Sequence, residues 1–131
     1  MQHESLTQRV IGAAMRVHST LGPGFLESVY QHALAWELRL AGVAFECEHR
    51  LHVRYRHALV GEFVADMLVE GSLLIENKAT RALEPVHAAQ VINYLKATGL
   101  QVGLLLNFGA RRLEVRRFTP KEQKAYRDDG G

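Results

Sequence analysis

Two apolar runs on either side of Gly71 form the most distinctive hydrophobic pattern of the chain. Residues 63–69 and 73–75 are apolar at almost every position, and a strand that is apolar on both faces is normally covered on both sides. The pattern therefore predicts a buried hairpin. With the turn centred on Gly71, Asp66 lies opposite Glu76, with about 4.5 to 5.5 Å between their Cβ atoms. A two-residue turn would shift this register and make the contact diagonal.

The alternation of strand side chains assigns the hairpin residues to two faces. In the second strand, Glu76 and Lys78 share the face of Leu74. In the first strand, the odd-numbered apolar residues are expected to share one face: Phe63, Ala65, Met67 and Val69. The hairpin thus carries charged side chains in an apolar setting, where an unpaired carboxylate is costly.

The apolar spacing before the hairpin predicts two helices and a strand. Ser5 and Gln8 are placed as a capping box, and helical spacing continues to about residue 20. The sequence "LGPG" then breaks the helix, and a second helix is predicted at about residues 25–41. Alternating residues around 50–55 predict the first strand of a sheet.

The segments after the hairpin predict a crossover helix, two further strands and a short final helix. They are residues 85–98, 102–108 and 111–118, followed by a helix start at Thr119. A helix between the third and fourth strands connects parallel neighbours by a right-handed crossover. The order predicts an α/β fold in which helices flank a central mixed five-stranded sheet. One domain would cover residues 1–127, with a flexible tail at 128–131.

The size of the chain and its single cysteine limit the alternatives. At 131 residues, there is room for one ordinary domain with one core. No segment has the layout of a signal peptide or the roughly 18 apolar residues of a membrane span. We therefore expect a cytoplasmic protein without a membrane partner. Cys47 cannot form an internal disulfide and is expected to be a small buried hydrophobe.

Basic residues are concentrated near the C-terminal end. Residues 111–127 contain seven Arg or Lys residues and two Glu residues, although the net charge of the chain is only +2. Such a cluster is able to contact phosphates, and equally able to be a solvated strand and helix. The candidates for phosphate contact are Arg116, Arg117, Lys121 and Lys124.

The carboxylates of the hairpin point to metal chemistry. Two opposed carboxylates repel each other, and burial increases that cost. A hard divalent cation such as Mg²⁺ or Mn²⁺ would resolve the conflict, because carboxylate oxygens are its preferred ligands. The alternative is structural: an ion pair between Glu76 and Lys78, with Asp66 near the end of the sheet.

The spacing of these residues resembles a known site. Asp66, nine intervening residues and then "ENK" are similar to the metal site of the PD-(D/E)xK nuclease superfamily. That resemblance implies a restriction-endonuclease-like fold with a three-layer core. Two positions depart from the pattern: Ala65 stands where the superfamily's name has proline, and Asn77 stands where an apolar residue is more usual.

Two further motifs extend the resemblance over nearly the whole chain. The stretch "GFLESVY" is similar to the signature of the GxxExxY family at Gly24, Glu27 and Tyr30. The stretch "QVINY" resembles the QxxxY motif of exonuclease-type members of the superfamily, at Gln90 and Tyr94. Each motif has a structural alternative. Glu27 suits the N-terminus of its helix, Tyr30 suits the core, and the last two residues suit a half-buried helix face.

The resemblance implies a metal-dependent nuclease. Mg²⁺ or Mn²⁺ would be held by Asp66, Glu76, the carbonyl of Asn77 and Glu27. Lys78 would position or deprotonate the attacking water.

The implied partner is nucleic acid, with DNA favoured over RNA, and the sequence leaves a homo-oligomer open. Contacts to the substrate are expected from Tyr30, Gln90, Tyr94, Arg116 and Arg117. The alternative function is a catalytically silent module of the same fold that binds nucleic acid or a protein.

Overall fold

Three helices and five strands make up the part of the chain that the structure, a computed structural model, describes: residues 4–119. They are α1 (Glu4–Leu21), α2 (Glu27–Leu40), β1 (Phe45–Tyr55), β2 (Ala58–Val69), β3 (Leu73–Lys78), α3 (Pro85–Thr98), β4 (Val102–Asn107) and β5 (Glu114–Phe118). None of these helices combines the length and the hydropathy that a membrane span requires.

The strands form one mixed sheet in the order β1-β2-β3-β4-β5. Neighbouring strands are antiparallel except β3 and β4, which are parallel. Helix α3 connects this parallel pair, because two parallel strands cannot be joined by a tight turn. The predicted mixed five-stranded sheet is confirmed.

The sheet lies between two helical layers. On one face, α1 and α2 bury residues such as Val10 and Leu34 against Ile75 and Leu104. On the other face, α3 packs on Leu74 and its neighbours. Strands β3 and β4 are buried on both sides, which explains why their sequences are almost continuously apolar. The three-layer α/β architecture agrees with the prediction.

Two local predictions near the N-terminal half are wrong. Ser5 lies inside α1, which already includes Glu4, so Ser5 is not the N-cap of a capping box. Cys47 is exposed rather than buried, because it lies on the edge strand β1, opposite Met67, and has a neighbouring strand on one side only. The predicted final helix after Thr119 and the tail at 128–131 lie outside the described residues.

Strand β2 changes the core that it faces at Asp66. Met67 packs with α1 and α2, whereas Ala65 and Phe63 pack with α3. The prediction that all odd-numbered residues of this strand share one face is therefore wrong. Glu48 and Asp66 are not paired in the ladder between β1 and β2, although the residues on either side of them are. At this position Glu48 has a left-handed φ of 56°. Such an irregularity bends a strand pair and increases its twist.

Beyond this bend, β1 and β2 form a long hairpin that we call the arm, residues 50–65. Its turn is made by Arg56 and His57, both with positive φ (49° and 74°), which is the backbone geometry that matches the twist of a two-residue hairpin. The arm is longer than predicted, because β2 begins at Ala58. It leans over α3, which buries Leu51 and half-buries Phe63.

A polar network fixes the segment that follows β3. The Asn107 Oδ1 atom accepts the N–H groups of Thr80 and Gly109, both at 3.0 Å. Its Nδ2 atom donates to the carbonyl of Thr80 at 2.9 Å and to Glu114 Oε1 at 2.7 Å. Glu114 Oε1 also accepts the N–H of Leu83 at 3.2 Å. One amide and one carboxylate thus hold the chain between β3 and α3.

Gly109 packs so closely on this segment that a side chain is excluded. A Cβ atom at this position would lie 2.4 Å from the backbone nitrogen of Thr80. We expect Gly109→Ala to lower the free energy of unfolding by about 1–3 kcal/mol, because backbone must move to relieve the overlap. Thermal melts measure this as a fall in melting temperature of roughly ten degrees.

The matched control is Gly12→Ala in α1. There the nearest atom to the new methyl group is Arg16 Nη1 at 3.7 Å, and alanine is favoured over glycine inside a helix by roughly 0.5–1 kcal/mol. Equal melting temperatures for the two variants would contradict the close packing of Gly109.

Candidate active site

Strands β2 and β3 separate at Asp66, and two carboxylates span the gap. The three pairs next to the turn are Met67 with Ile75, Leu68 with Leu74, and Val69 with Leu73, so the predicted register is confirmed. The next pair would be Asp66 and Glu76, but the backbone ladder ends before it.

At the gap, each carboxylate accepts an N–H group of the opposite strand. The N–H of Asp66 donates to Glu76 Oε1 at 3.0 Å, and the N–H of Asn77 donates to Asp66 Oδ2 at 2.7 Å. These bonds connect the two strands at the point where their backbone ladder has ended, so both N–H groups have an acceptor. They also hold the two acidic side chains against each other.

Burial makes this pair electrostatically costly. Glu76 is 3% exposed, and burial together with the charge of Asp66 raises the pKa of Glu76 to about 8. Burial also raises the pKa of Asp66, opposed by the hydrogen bond from Asn77 and by the charge of Lys78. In the metal-free protein, a pKa of about 8 favours the protonated form of Glu76 at neutral pH.

Lys78 and Glu27 border the pair from two different elements. Lys78 is half-buried at the end of β3, and within residues 4–119 it forms no ion pair with Glu76. The structural alternative of a Glu76–Lys78 ion pair is thus not formed. Glu27 is the exposed first residue of α2. Burial raises its pKa, the ammonium of Lys78 opposes that rise, and the charge of Asp66 adds to it.

Tyr30 lies in the core and shapes the loop before α2. It is fully buried and stacks on Phe108, with 4.9 Å between ring centroids. Its hydroxyl donates to the carbonyl of Gly22 and accepts the N–H of Phe25 at 3.1 Å. The structure therefore gives Tyr30 no surface for a substrate. It fixes the loop from which Glu27 emerges.

Gln90 and Tyr94 form a hydrogen-bonded pair on α3. Gln90 Nε2 donates to the Tyr94 hydroxyl at 2.9 Å, as expected for residues one turn apart. Burial raises the pKa of Tyr94, and the charge of Glu76 raises it further. Both side chains are half-buried. Tyr94 of the QxxxY motif is thus close enough to the carboxylates for their charge to raise its pKa.

Two neighbours of the site had no clear signal in the sequence. The ring of Phe63 stacks on Tyr94, with 3.9 Å between centroids and 15° between planes. His87 accepts the N–H of Glu84 at its Nδ1 atom, and it lies close enough to Glu27 to lower the pKa of that carboxyl. The stacking depends on the bend of β2, and the spacing of residues in the sequence does not predict that bend.

Arg116 and Arg117 lie on opposite faces of β5, because they are successive strand residues. Arg116 is exposed and lies over the ring of Phe118, 5.9 Å from its centroid, on the side where α3 packs. Arg117 is half-buried on the other side. Of the four predicted phosphate contacts, two lie among the described residues, and of these only Arg116 shares the face of the sheet that carries Glu76.

The side chain of Asn77 lies in the core, and its backbone lies beside the carboxylates. Its side chain is fully buried, with Nδ2 3.7 Å from the sulfur of Met67. Its Oδ1 atom is buried without a hydrogen-bond partner among residues 4–119. Only the backbone of Asn77 borders the carboxylates, consistent with the expectation that its carbonyl, and not its side chain, would serve as a ligand.

The donor set fits a hydrated divalent cation better than a closed cage. Within residues 4–119, no three Asp, Glu, His or Cys side chains form a group that could hold a metal ion. Asp66 and Glu76 each engage one oxygen in the cross-strand bonds, which leaves Asp66 Oδ1 and Glu76 Oε2. Mg²⁺ usually binds one or two carboxylates and keeps several waters. The pair meets that requirement.

Comparisons with known proteins agree with this fold. A family model described as the PD-(D/E)XK nuclease superfamily matches residues 4–118. A solved structure titled "Crystal structure of SSO0001" is similar, with a TM-score of 0.57 and 17% sequence identity over 90% of this chain and 60% of that chain. This chain thus spans about three fifths of that protein, and the likeness concerns the fold alone. No curated protein matches the sequence.

The raised pKa of Glu76 predicts how the stability of the metal-free protein depends on pH. Its contribution is fully present below the ordinary value of 4.5 and is lost as the pH rises through about 8. We therefore expect the free energy of unfolding in chelator to fall over this range, by up to several kcal/mol. Glu76→Gln keeps an acceptor for the N–H of Asp66 and should flatten the dependence.

Denaturant unfolding between pH 5 and 9 measures the effect. Glu70→Gln is the control, because Glu70 is an exposed carboxylate in the turn of the same hairpin. A wild-type curve parallel to that of Glu76→Gln would show that Glu76 does not titrate in this range.

Proposed function

This chain belongs to the PD-(D/E)XK nuclease superfamily, and on that premise we propose that it hydrolyses phosphodiester bonds in nucleic acid with the help of Mg²⁺ or Mn²⁺. The observation that supports the proposal most is the split between β2 and β3, across which Asp66 and Glu76 face each other. Two carboxylates so placed are unfavourable without a cation.

The proposed metal site is made of Asp66, Glu76 and the carbonyl of Asn77, with Glu27 acting on a metal-bound water. A divalent cation bound there would act as a Lewis acid on the phosphate and lower the pKa of a bound water. Glu76 must lose its proton to bind the ion. Because its pKa is about 8, metal affinity should increase as the pH rises towards 8.

Lys78 is proposed to act on the attacking water and on the phosphate. Its ammonium group lies at the end of β3, near the charges of Asp66 and Glu27. A positive charge there stabilises the negative charge that develops on the phosphate. The segment after Lys78 is fixed by the network of Asn107 and Glu114, which limits the positions that the lysine can adopt.

Gln90, Tyr94 and Arg116 are proposed to contact the substrate. The Tyr94 hydroxyl, which accepts a hydrogen bond from Gln90, still has its own proton to donate to a phosphate oxygen. Arg116 is exposed on the same face and suits a second phosphate. Tyr30 keeps a positioning role through the loop before Glu27. DNA as the preferred substrate, a cytoplasmic location and a single domain over 1–127 remain parts of the proposal.

The second candidate function is a catalytically silent binding module. Its support is the burial of Glu76 and its pKa of about 8, which at neutral pH disfavour the ionised form that a metal ligand requires. The two candidates differ in one measurement, which is cleavage of single- and double-stranded DNA and RNA in Mg²⁺, Mn²⁺ or chelator. Salt-sensitive binding without cleavage would favour the module.

Cleavage should depend on the cation and on two residues. We expect Glu76→Gln and Lys78→Gln each to lower the rate by about 10²–10³, because each removes a group that acts on the transition state. The fold should be retained, as shown by circular dichroism. Glu70→Gln and Arg39→Gln, at exposed positions outside the site, provide controls for the loss of charge. Equal rates in chelator and in Mg²⁺ would exclude the metal-dependent mechanism.

Arg116 should contribute one phosphate contact. Arg116→Gln is expected to weaken binding to all sequences alike and to reduce the slope of log K against log salt by about one unit. Arg117→Gln should have a smaller effect, because Arg117 lies on the other face. Arg39→Gln, at the far end of α2, is the control. Lys121 and Lys124 lie outside the described residues. An unchanged slope for Arg116→Gln would show that Arg116 is solvated and contacts no phosphate.

A further inference from the structure

The arm and α3 form the walls of an open cavity of about 500 Å³ beside the candidate active site. We call it the arm pocket. One wall comes from β1 and β2 of the arm and the other from one face of α3. It is lined by Val53, Arg54, Phe63, Asn93, Tyr94, Lys96 and Ala97.

The lining of the arm pocket is apolar inside and cationic at the rim. Val53, Phe63 and Ala97 are partly exposed there, and no carboxylate among residues 4–119 lines the cavity. Arg54 and Lys96 are exposed at its edge. Arg54 has no carboxylate within 4 Å among residues 4–119. This combination suits a ligand with a flat apolar part attached to an anionic part.

The pocket is physically connected to the carboxylates. Tyr94 lines the pocket and is hydrogen-bonded to Gln90, and its ring stacks on Phe63. Phe63 is three residues before Asp66 on the same strand, which corresponds to about 10 Å at roughly 3.3 Å per residue. A strand of nucleic acid with a phosphate at the carboxylates would thus have a nucleotide within reach of the pocket.

We propose that the arm pocket receives one unpaired nucleobase of the substrate strand, a few nucleotides from the scissile phosphate. The inference rests on the proposed function and specifies its substrate class. A base enters such a pocket only when it is not stacked within a duplex, because unpairing and unstacking cost a few kcal/mol. Apolar surface and rim cations are the features that bind single strands without reading their sequence. The preferred substrates are therefore single strands or unpaired ends.

An abasic scan tests the pocket without requiring cleavage. A series of fluorescent single-stranded 12-nucleotide DNAs would each lack one base while keeping every phosphate. Binding to the wild-type protein is measured by anisotropy in chelator. We expect one position, or two adjacent ones, to bind at least about fivefold more weakly than the intact strand, because only there is a base lost from the pocket. A duplex of the same sequence should bind more weakly than the single strand.

A matched pair of variants assigns the effect to the pocket. Ala97→Gln fills the cavity without changing charge and should reduce the abasic effect to less than twofold. Ala89→Gln makes the same change on the same helix at a position outside the lining and should leave it unchanged. Loss of the effect in both variants would overturn the assignment to the arm pocket.

The remaining outcomes separate this inference from the proposed function. A flat scan together with metal-dependent cleavage would overturn the pocket alone. Tighter binding of the duplex than of the single strand would also overturn it. Absence of binding to every oligonucleotide would overturn the pocket, and absence of cleavage in Mg²⁺ and Mn²⁺ would separately overturn the nuclease.

Discussion

The two cross-strand hydrogen bonds that the carboxylates of Asp66 and Glu76 accept at the β2–β3 split are the interactions on which the site depends. An N–H group left unpaired in a buried sheet costs as much as a lost hydrogen bond. Asp66 and Glu76 accept the N–H groups that the split exposes, so their geometry is set by the backbone. The two acidic side chains are therefore held close together, although burial makes the proximity of two carboxylates unfavourable.

Other features of the fold maintain this arrangement from several sides. The bend at Asp66 turns the arm towards α3 and brings Phe63 onto Tyr94. The buried Tyr30 holds the loop that precedes Glu27. On the opposite side, Asn107 fixes the segment after β3. The segments that carry the charged groups of the site are therefore held in place by hydrogen bonds and packing. Groups fixed in this way stabilise a transition state without having to reorganise.

The sequence was sufficient for the order of the elements within residues 4–119 and for the hairpin register. These depend on local periodicity and on Gly71, and both are visible in the residues themselves. The bend of β2 was not predictable, because strict alternation assumes a flat strand, and the irregularity at Glu48 depends on its pairing with β2. The exposure of Cys47 and the arm pocket follow from which strand lies at the edge and where α3 packs. Both are properties of the assembled sheet.

The most direct measurement of the central claim is a set of thermal melts of wild type and Asp66→Asn, with Mn²⁺ and with chelator. Asparagine can still accept the N–H of Asn77 but removes the repulsion with Glu76. A cation at 100 times its dissociation constant stabilises the fold that binds it by about 2.7 kcal/mol, or on the order of ten degrees. We expect this rise for wild type, little of it for Asp66→Asn, and a mutant that melts no lower than wild type in chelator. A clearly less stable mutant in chelator, with no shift by Mn²⁺ in either protein, would show that the carboxylates are only structural.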